Sequence, residues 1–202
     1  MNLNRRHLLI AAGATALAGC ERAAAPTEKL QFKGVDITGA EYGRVLSLPD
    51  QDGNLRTLAD FKGKVVVVFF GYTQCPDVCP TTMAELAQVK KTLGAQGDKL
   101  QGIFVSVDPE RDTPQLLKAY MANFDPSFVA LRGTPEQTAA AAKEFRVFYG
   151  KVPGRTEGSY TIDHTAGSYL FDAQGRLRVF VRYGGGAEPL TADLKTLLAA
   201  AG

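Results

Sequence analysis

Residues 64–70 read KVVVVFF, six β-branched or aromatic side chains in a row after one lysine. A run of that kind makes a strand buried on both faces, so helices must cover both sides of its sheet. The rest of the chain supplies those layers by alternating strand and helix. Gly43 to Leu58 reads as a short hairpin around Asp52-Gly53. After the apolar run a helix extends from about Pro80 to Leu93 and closes at Gly94. Leu100 to Val107 is the next strand, Thr113 to Asn123 a helix with Pro114 in its first turn, and Phe128 to Leu131 a short strand. Pro135 to Phe148 is helical, with Thr134 as N-cap. Residues 149–163 are polar and glycine-rich, as an exposed loop or hairpin would be. Ser168 to Asp172 and Arg176 to Tyr183 pair across Ala173-Gln174-Gly175, and Leu190 to Ala200 closes the chain as a helix.

This order predicts an α/β class with a thioredoxin-like fold: a central mixed sheet flanked by helices and joined by right-handed crossovers. Directly after the buried strand comes GYTQCPDVCP, with Cys75 and Cys79 four positions apart. The carboxyl end of a central strand is where open α/β sheets bind ligands. Two thiols this close can form a disulfide, hold a soft metal ion, or alternate between the two. Each precedes a proline, which disfavours helical backbone there. The expected arrangement makes Cys79 the cap and Pro80 the first helical residue, with the helix N-terminus favouring thiolate at both sulfurs.

The N-terminus bears on which use applies. Arg5 and Arg6 precede the apolar stretch LLIAAGATALAG, too short to span a bilayer but suited to a signal peptide. It ends in Leu17-Ala18-Gly19-Cys20, which resembles a bacterial lipoprotein signal; the paired arginines resemble a twin-arginine signal. The expected division is a signal peptide over 1–19, a lipidated tether over 20–30 starting at Cys20, and a thioredoxin-like domain over 31–202. The folded part then lies outside the cytoplasm, at the periplasmic face of a bacterial membrane, where thiols oxidise unless kept reduced. Lipid on Cys20 leaves Cys75 and Cys79 as the remaining thiols, and loss of His7 leaves His164 as the remaining histidine. Removing Arg5 and Arg6 leaves 21 basic against 21 acidic residues, a balance that argues against a nucleic-acid partner.

Two thiolates suit Cu(I), and one imidazole added to them gives a site that also holds Cu(II). His164 lies at the foot of the glycine-rich segment, where a thioredoxin-like layout faces it toward the cysteine loop. Asp77, Asp108 and Asp163 are candidates to orient the imidazole or balance metal charge. Met83, one turn after Cys79, is read as core packing rather than as a soft ligand.

Three segments in this order and spacing, VVVVFFGYTQCPDVCP, VSVDPERDTP and YTIDHTAGSYLFDAQG, resemble the Sco/SenC family over roughly residues 40 to 200. The tripeptide DHT has no proline beside it, whereas many redox-active thioredoxin relatives place a cis-proline near there. The resemblance implies a copper site of Cys75, Cys79 and His164. It implies a thioredoxin-like fold with an N-terminal β-hairpin extension and a loop insertion before His164. It further implies a metallochaperone that helps build the binuclear copper centre of cytochrome c oxidase subunit II, with other copper chaperones and a thiol reductant as further partners. The alternatives are a thiol-disulfide oxidoreductase, with Cys75 and Cys79 as the redox-active pair acting on that subunit's copper-ligand cysteines, or a copper or redox sensor.

Overall fold

The computed structural model describes residues 30–201. The signal sequence, Cys20 and most of the expected tether lie outside the described residues. Among the described residues no helix is long and apolar enough to cross a membrane.

The apolar run becomes β4 (Val65–Gly71), buried at every position. It lies inside a six-stranded mixed sheet with β1 (Val35–Asp36), β5 (Leu100–Ser106), β6 (Val129–Leu131), β9 (Gly167–Phe171) and β10 (Leu177–Arg182), in the order β1-β10-β9-β4-β5-β6. Strands β4, β5 and β6 run parallel, while β9 is antiparallel to β4. Parallel neighbours need crossovers, and α1 (Val78–Thr92) and α2 (Pro114–Ala122) supply them. Helices α3 (Pro135–Glu144) and α4 (Ala187–Ala199) complete the layers, α4 packing on α1 and β4. The class is α/β and the fold is thioredoxin-like, with the central mixed sheet flanked by helices.

Alternation along β4 sends neighbouring phenylalanines to opposite faces. Phe70 packs against Phe145 and Tyr169, whose hydroxyl donates to the Phe145 carbonyl at 2.8 Å. Phe69 meets both Phe104 and His164. One face of the sheet is thus pure core, and the other turns from core into site at the end of β4.

The N-terminal hairpin forms from β2 (Ser47–Pro49) and β3 (Leu55–Thr57) around Gly53, whose φ of +85° suits glycine. The segment read as exposed loop or hairpin is a hairpin, β7 (Tyr149–Pro153) with β8 (Tyr160–His164), pairing only with itself. His164 closes β8 and stands three residues before β9.

Two boundaries differ from expectation. Helix α1 starts at Val78 with Asp77 as its cap, so Cys79 is inside the first turn. The proline effect on Cys79 is a tendency; Pro80 fits a first turn, where its missing N–H has no acceptor to lose. Helix α3 stops at Glu144, four residues short of Phe148. Arg146 takes φ +56°, and the Val147 N–H donates back to Ala142 O at 2.8 Å. That is a left-handed stop of the kind usually made by glycine, and an arginine there sends no sequence signal.

Candidate metal centre

Three elements bring Cys75, Cys79 and His164 together. The loop after β4 holds Cys75, the first turn of α1 holds Cys79, and the end of β8 holds His164. One ligand atom from each lies within 4.8 Å of the other two. Cys79 is fully buried and Cys75 half-buried, and neither is in a disulfide. The Cys79 N–H donates to Cys75 Sγ at 3.4 Å, and Cys79 Sγ lies 3.4 Å from His164 Nε2.

The imidazole is oriented from behind. His164 Nδ1 sits 3.2 Å from the Thr165 carbonyl oxygen, which can only accept, so Nδ1 carries the proton and Nε2 presents its lone pair to the sulfurs. The rings of Phe69 and Tyr72 meet the imidazole edge-on, at centroid distances of 5.8 and 6.0 Å. Two thiols and one imidazole make a soft-to-borderline donor set, the type that holds Cu(I) or Zn(II) and extends to Cu(II).

The two sulfurs differ electrostatically. The Cys75 thiol is held down to about 5, chiefly by the Cys79 thiol donating to it, helped by the backbone N–H groups of Asp77 and Cys79. Cys79 is pushed up, first by that same hydrogen bond and then by burial. At neutral pH the pair holds one proton, kept on the buried sulfur.

Two supporting residues carry no clear signal in the sequence. Gly71 ends β4 directly beneath Cys79: a Cβ there would lie 2.8 Å from Cys79 Sγ and 2.8 Å from the Phe69 ring. Glycine is what lets that sulfur sit over the strand. Asp112 is fully buried and accepts from the Ser106 hydroxyl at 2.6 Å and from the hydroxyl and N–H of Thr73. It ties the start of the cysteine loop to the end of β5, and burial raises its pKa. An acidic residue in DPERDT is visible in the sequence, but its direction into the core is not.

The acidic candidates have other partners. Asp108 is buried, accepts from the Tyr160 hydroxyl at 2.9 Å, and forms an ion pair with Arg111. Asp77 accepts from the Tyr183 hydroxyl at 3.4 Å beside α1. Asp163 is exposed, since strand alternation turns it away from the face that carries His164. Met83 packs in the core.

The SCO1/SenC family model matches residues 36–199. A mouse protein named as a mitochondrial SCO2 homolog is 34% identical over 203 residues, covering 97% of this chain and 80% of its own length. The structure of Bradyrhizobium japonicum ScoI with copper bound is 44% identical, with a TM-score of 0.70 over 78% of this chain and 99% of that one. Yeast Sco1 with copper bound is 30% identical, with a TM-score of 0.72 over 80% of this chain and 90% of that one.

Proposed function

This chain belongs to the SCO1/SenC family, and from that premise we propose that it is a copper metallochaperone of cytochrome c oxidase assembly. Copper is its cargo. Cys75 and Cys79 take up the ion, His164 completes the site, and the ion passes by ligand exchange to the binuclear centre of oxidase subunit II. The convergence of two sulfurs and an oriented imidazole within 4.8 Å carries this reading. Copper-bound relatives at 44% and 30% identity support the choice of metal. Half-burial of Cys75 suits transfer, because an incoming ligand can reach that sulfur first.

The proposal extends to place. Lipid on Cys20, after removal of residues 1–19, anchors the protein at the periplasmic face of a bacterial membrane, near a membrane-bound acceptor. Replacing Cys20 with Ala is expected to move the protein from the membrane to the soluble fraction; continued membrane retention would overturn the lipid anchor.

A second reading rests on the asymmetry of the thiols. The half-exposed Cys75 thiolate can attack a disulfide of the acceptor, releasing one acceptor sulfur as a thiolate that takes up a proton. Cys79 then gives up its proton and attacks Cys75 Sγ, so a Cys75–Cys79 disulfide forms and the acceptor leaves as a dithiol. The two electrons come from the cysteine pair.

His164→Ala separates the two. A metallochaperone should lose Cu(II) affinity and oxidase assembly together, while a reductase should lose Cu(II) affinity and keep assembly. Cu(II) binding that survives His164→Ala would remove the imidazole from the site.

A further inference from the structure

His164 reaches the cysteines on a hairpin that pairs with no other strand. Its position depends on what fastens that hairpin to the core: Ile162 packs in the core, and a cluster of polar contacts holds Tyr160. Asp108 and Arg111 lie in the turn that follows β5, at the same end of the sheet as the cysteine loop. Arg111 Nε is paired with the buried Asp108 carboxylate. Its Nη1 donates to the Tyr160 carbonyl oxygen at 2.9 Å, and its guanidinium lies over the Tyr160 ring at 3.6 Å. The Tyr160 hydroxyl returns to Asp108 Oδ1 at 2.9 Å, closing the loop of contacts. The guanidinium also lies 5.8 Å from the ring of Tyr72, which stands against His164. Lys151 of β7 adds an exposed ion pair to Glu110 in the same turn.

Tyr160 begins the strand that His164 ends. A clamp on Tyr160 thus fixes one end of a five-residue lever whose other end is the ligand. Only a planar, forked cation can pair with a carboxylate, donate to a carbonyl and stack on a ring at once. A single buried carboxylate serves both the arginine and the tyrosine, so loss of any member loosens the other two.

We propose that Asp108, Arg111 and Tyr160 form a latch that positions His164, and that through it they set how firmly the site holds Cu(II) while leaving Cu(I) binding to the two sulfurs. The contacts of Arg111 are with Asp108, Tyr160 and Tyr72; it is a positioning residue that acts through the hairpin. The proposal rests on the three-ligand reading of the site. It gives the DPERD turn a role that a carboxylate next to the metal would not have: the latch predicts an oxidation-state-selective effect, since thiolates alone suffice for Cu(I) and the imidazole is what Cu(II) adds.

The test uses the purified, reduced full chain and Arg111→Met, Arg111→Lys, Tyr160→Phe and His164→Ala variants. Cu(II) and Cu(I) affinities are measured by competition, and amide hydrogen exchange of residues 149–164 is followed without metal. Arg111→Met should lower Cu(II) affinity by about 10–100-fold, the range seen when groups that orient metal ligands are removed, and weaken the thiolate-to-Cu(II) absorption. Cu(I) affinity should stay within about threefold of wild type, below that range. Arg111→Lys keeps the charge but not the fork and should fail to rescue. Tyr160→Phe removes one hydroxyl and should give a smaller loss in the same direction. Hairpin exchange should accelerate in each latch variant while that of β4 and β5 does not. If His164→Ala lowers Cu(II) affinity and the latch variants do not, the latch is wrong and the three-ligand site stands. If His164→Ala leaves Cu(II) binding unchanged, the three-ligand site falls and takes the latch with it. Equal losses of Cu(I) and Cu(II) in Arg111→Met, with faster exchange throughout, would reduce Arg111 to a folding role and overturn the proposal.

Discussion

The loop that carries Cys75 and Cys79 and the hairpin that carries His164 meet at one site from opposite kinds of structure. The first grows out of β4, buried at every residue and paired on both edges, and runs into α1, whose inner face is buried from Cys79 to Val89. The second has exposed residues along most of β7 and edges open except to each other. Moving the Cys79 sulfur means moving the core. Moving the imidazole means releasing a latch, the ring contacts with Phe69 and Tyr72, the bonds between Phe148 and Thr165, and the buried Ile162. On the proposed reading, the buried Cys79 is the fixed ligand and His164 the one held conditionally, a division that suits an ion to be bound and then given up. Segments of low local stability are where a protein can afford such motion.

The largest expected effect comes from breaking the rigid side. Cys79→Ala removes the buried donor and leaves Cys75 as the single soft donor among the three converging groups. Cu(I) affinity should fall by about a thousandfold or more, roughly 4 kcal/mol. Chelator competition on the reduced protein measures it, and a loss under about tenfold would mean that the sulfurs do not bind as a pair.

A pair of glycine substitutions sharpens the contrast. Gly71→Ala puts a methyl 2.8 Å from Cys79 Sγ and 2.9 Å from the Phe104 ring, against neighbours that the core does not let shift. Overpacking of that kind costs about 1–3 kcal/mol, and here it should also displace the sulfur and weaken both copper states. On the arm, a methyl at Gly150 meets only the Phe148 ring edge at 3.5 Å, an ordinary contact. Gly150→Ala should therefore stay within about 0.5 kcal/mol of wild type, as surface substitutions do. Denaturant unfolding of both variants checks the difference; equal costs would deny that the two regions differ in rigidity.

The same division explains what the sequence made legible. The buried strand, the two crossover helices and the β9–β10 pair follow from periodicity and glycine placement, because local pattern and final burial agree there. The positions of Cys75 and Cys79 at the end of β4 follow from the fold order alone. Asp108 illustrates the opposite case. Its strand end was readable, but its partners Arg111 and Tyr160 are three and 52 residues away, and only the tertiary structure turns its carboxylate to them and not to a ligand. Gly71 and Asp112 escaped for a related reason: a glycine at a strand end and a second acid in DPERDT look like punctuation until packing shows what sits against them. Asp77, and not Cys79, caps α1 because the bias that proline imposes on its predecessor is small beside the packing of a buried sulfur.

The smallest effect concerns the proton that the two sulfurs share. Cys75 is lowered from an ordinary 9.0 to about 5, with the Cys79 thiol donating to it, and Cys79 is raised. Between about pH 5 and 9 the folded protein therefore lacks a proton at Cys75 that the unfolded chain keeps, so this group adds stability as pH rises through that window and loses it on acidification toward 5. Above about 9 the sign reverses at Cys79, which keeps its proton in the fold while an unfolded thiol would lose it. Alkylation reads the same asymmetry without unfolding. Iodoacetamide should modify Cys75 at a rate that rises through about pH 5 and is flat from 6 to 8, while Cys79 stays unmodified. Both cysteines reacting alike, with rates still climbing at pH 8, would place the shared proton on neither sulfur in particular. The rigid half of the site would then lack the built-in order, one sulfur open and ionised and one closed and protonated, that lets a partner approach Cys75 first.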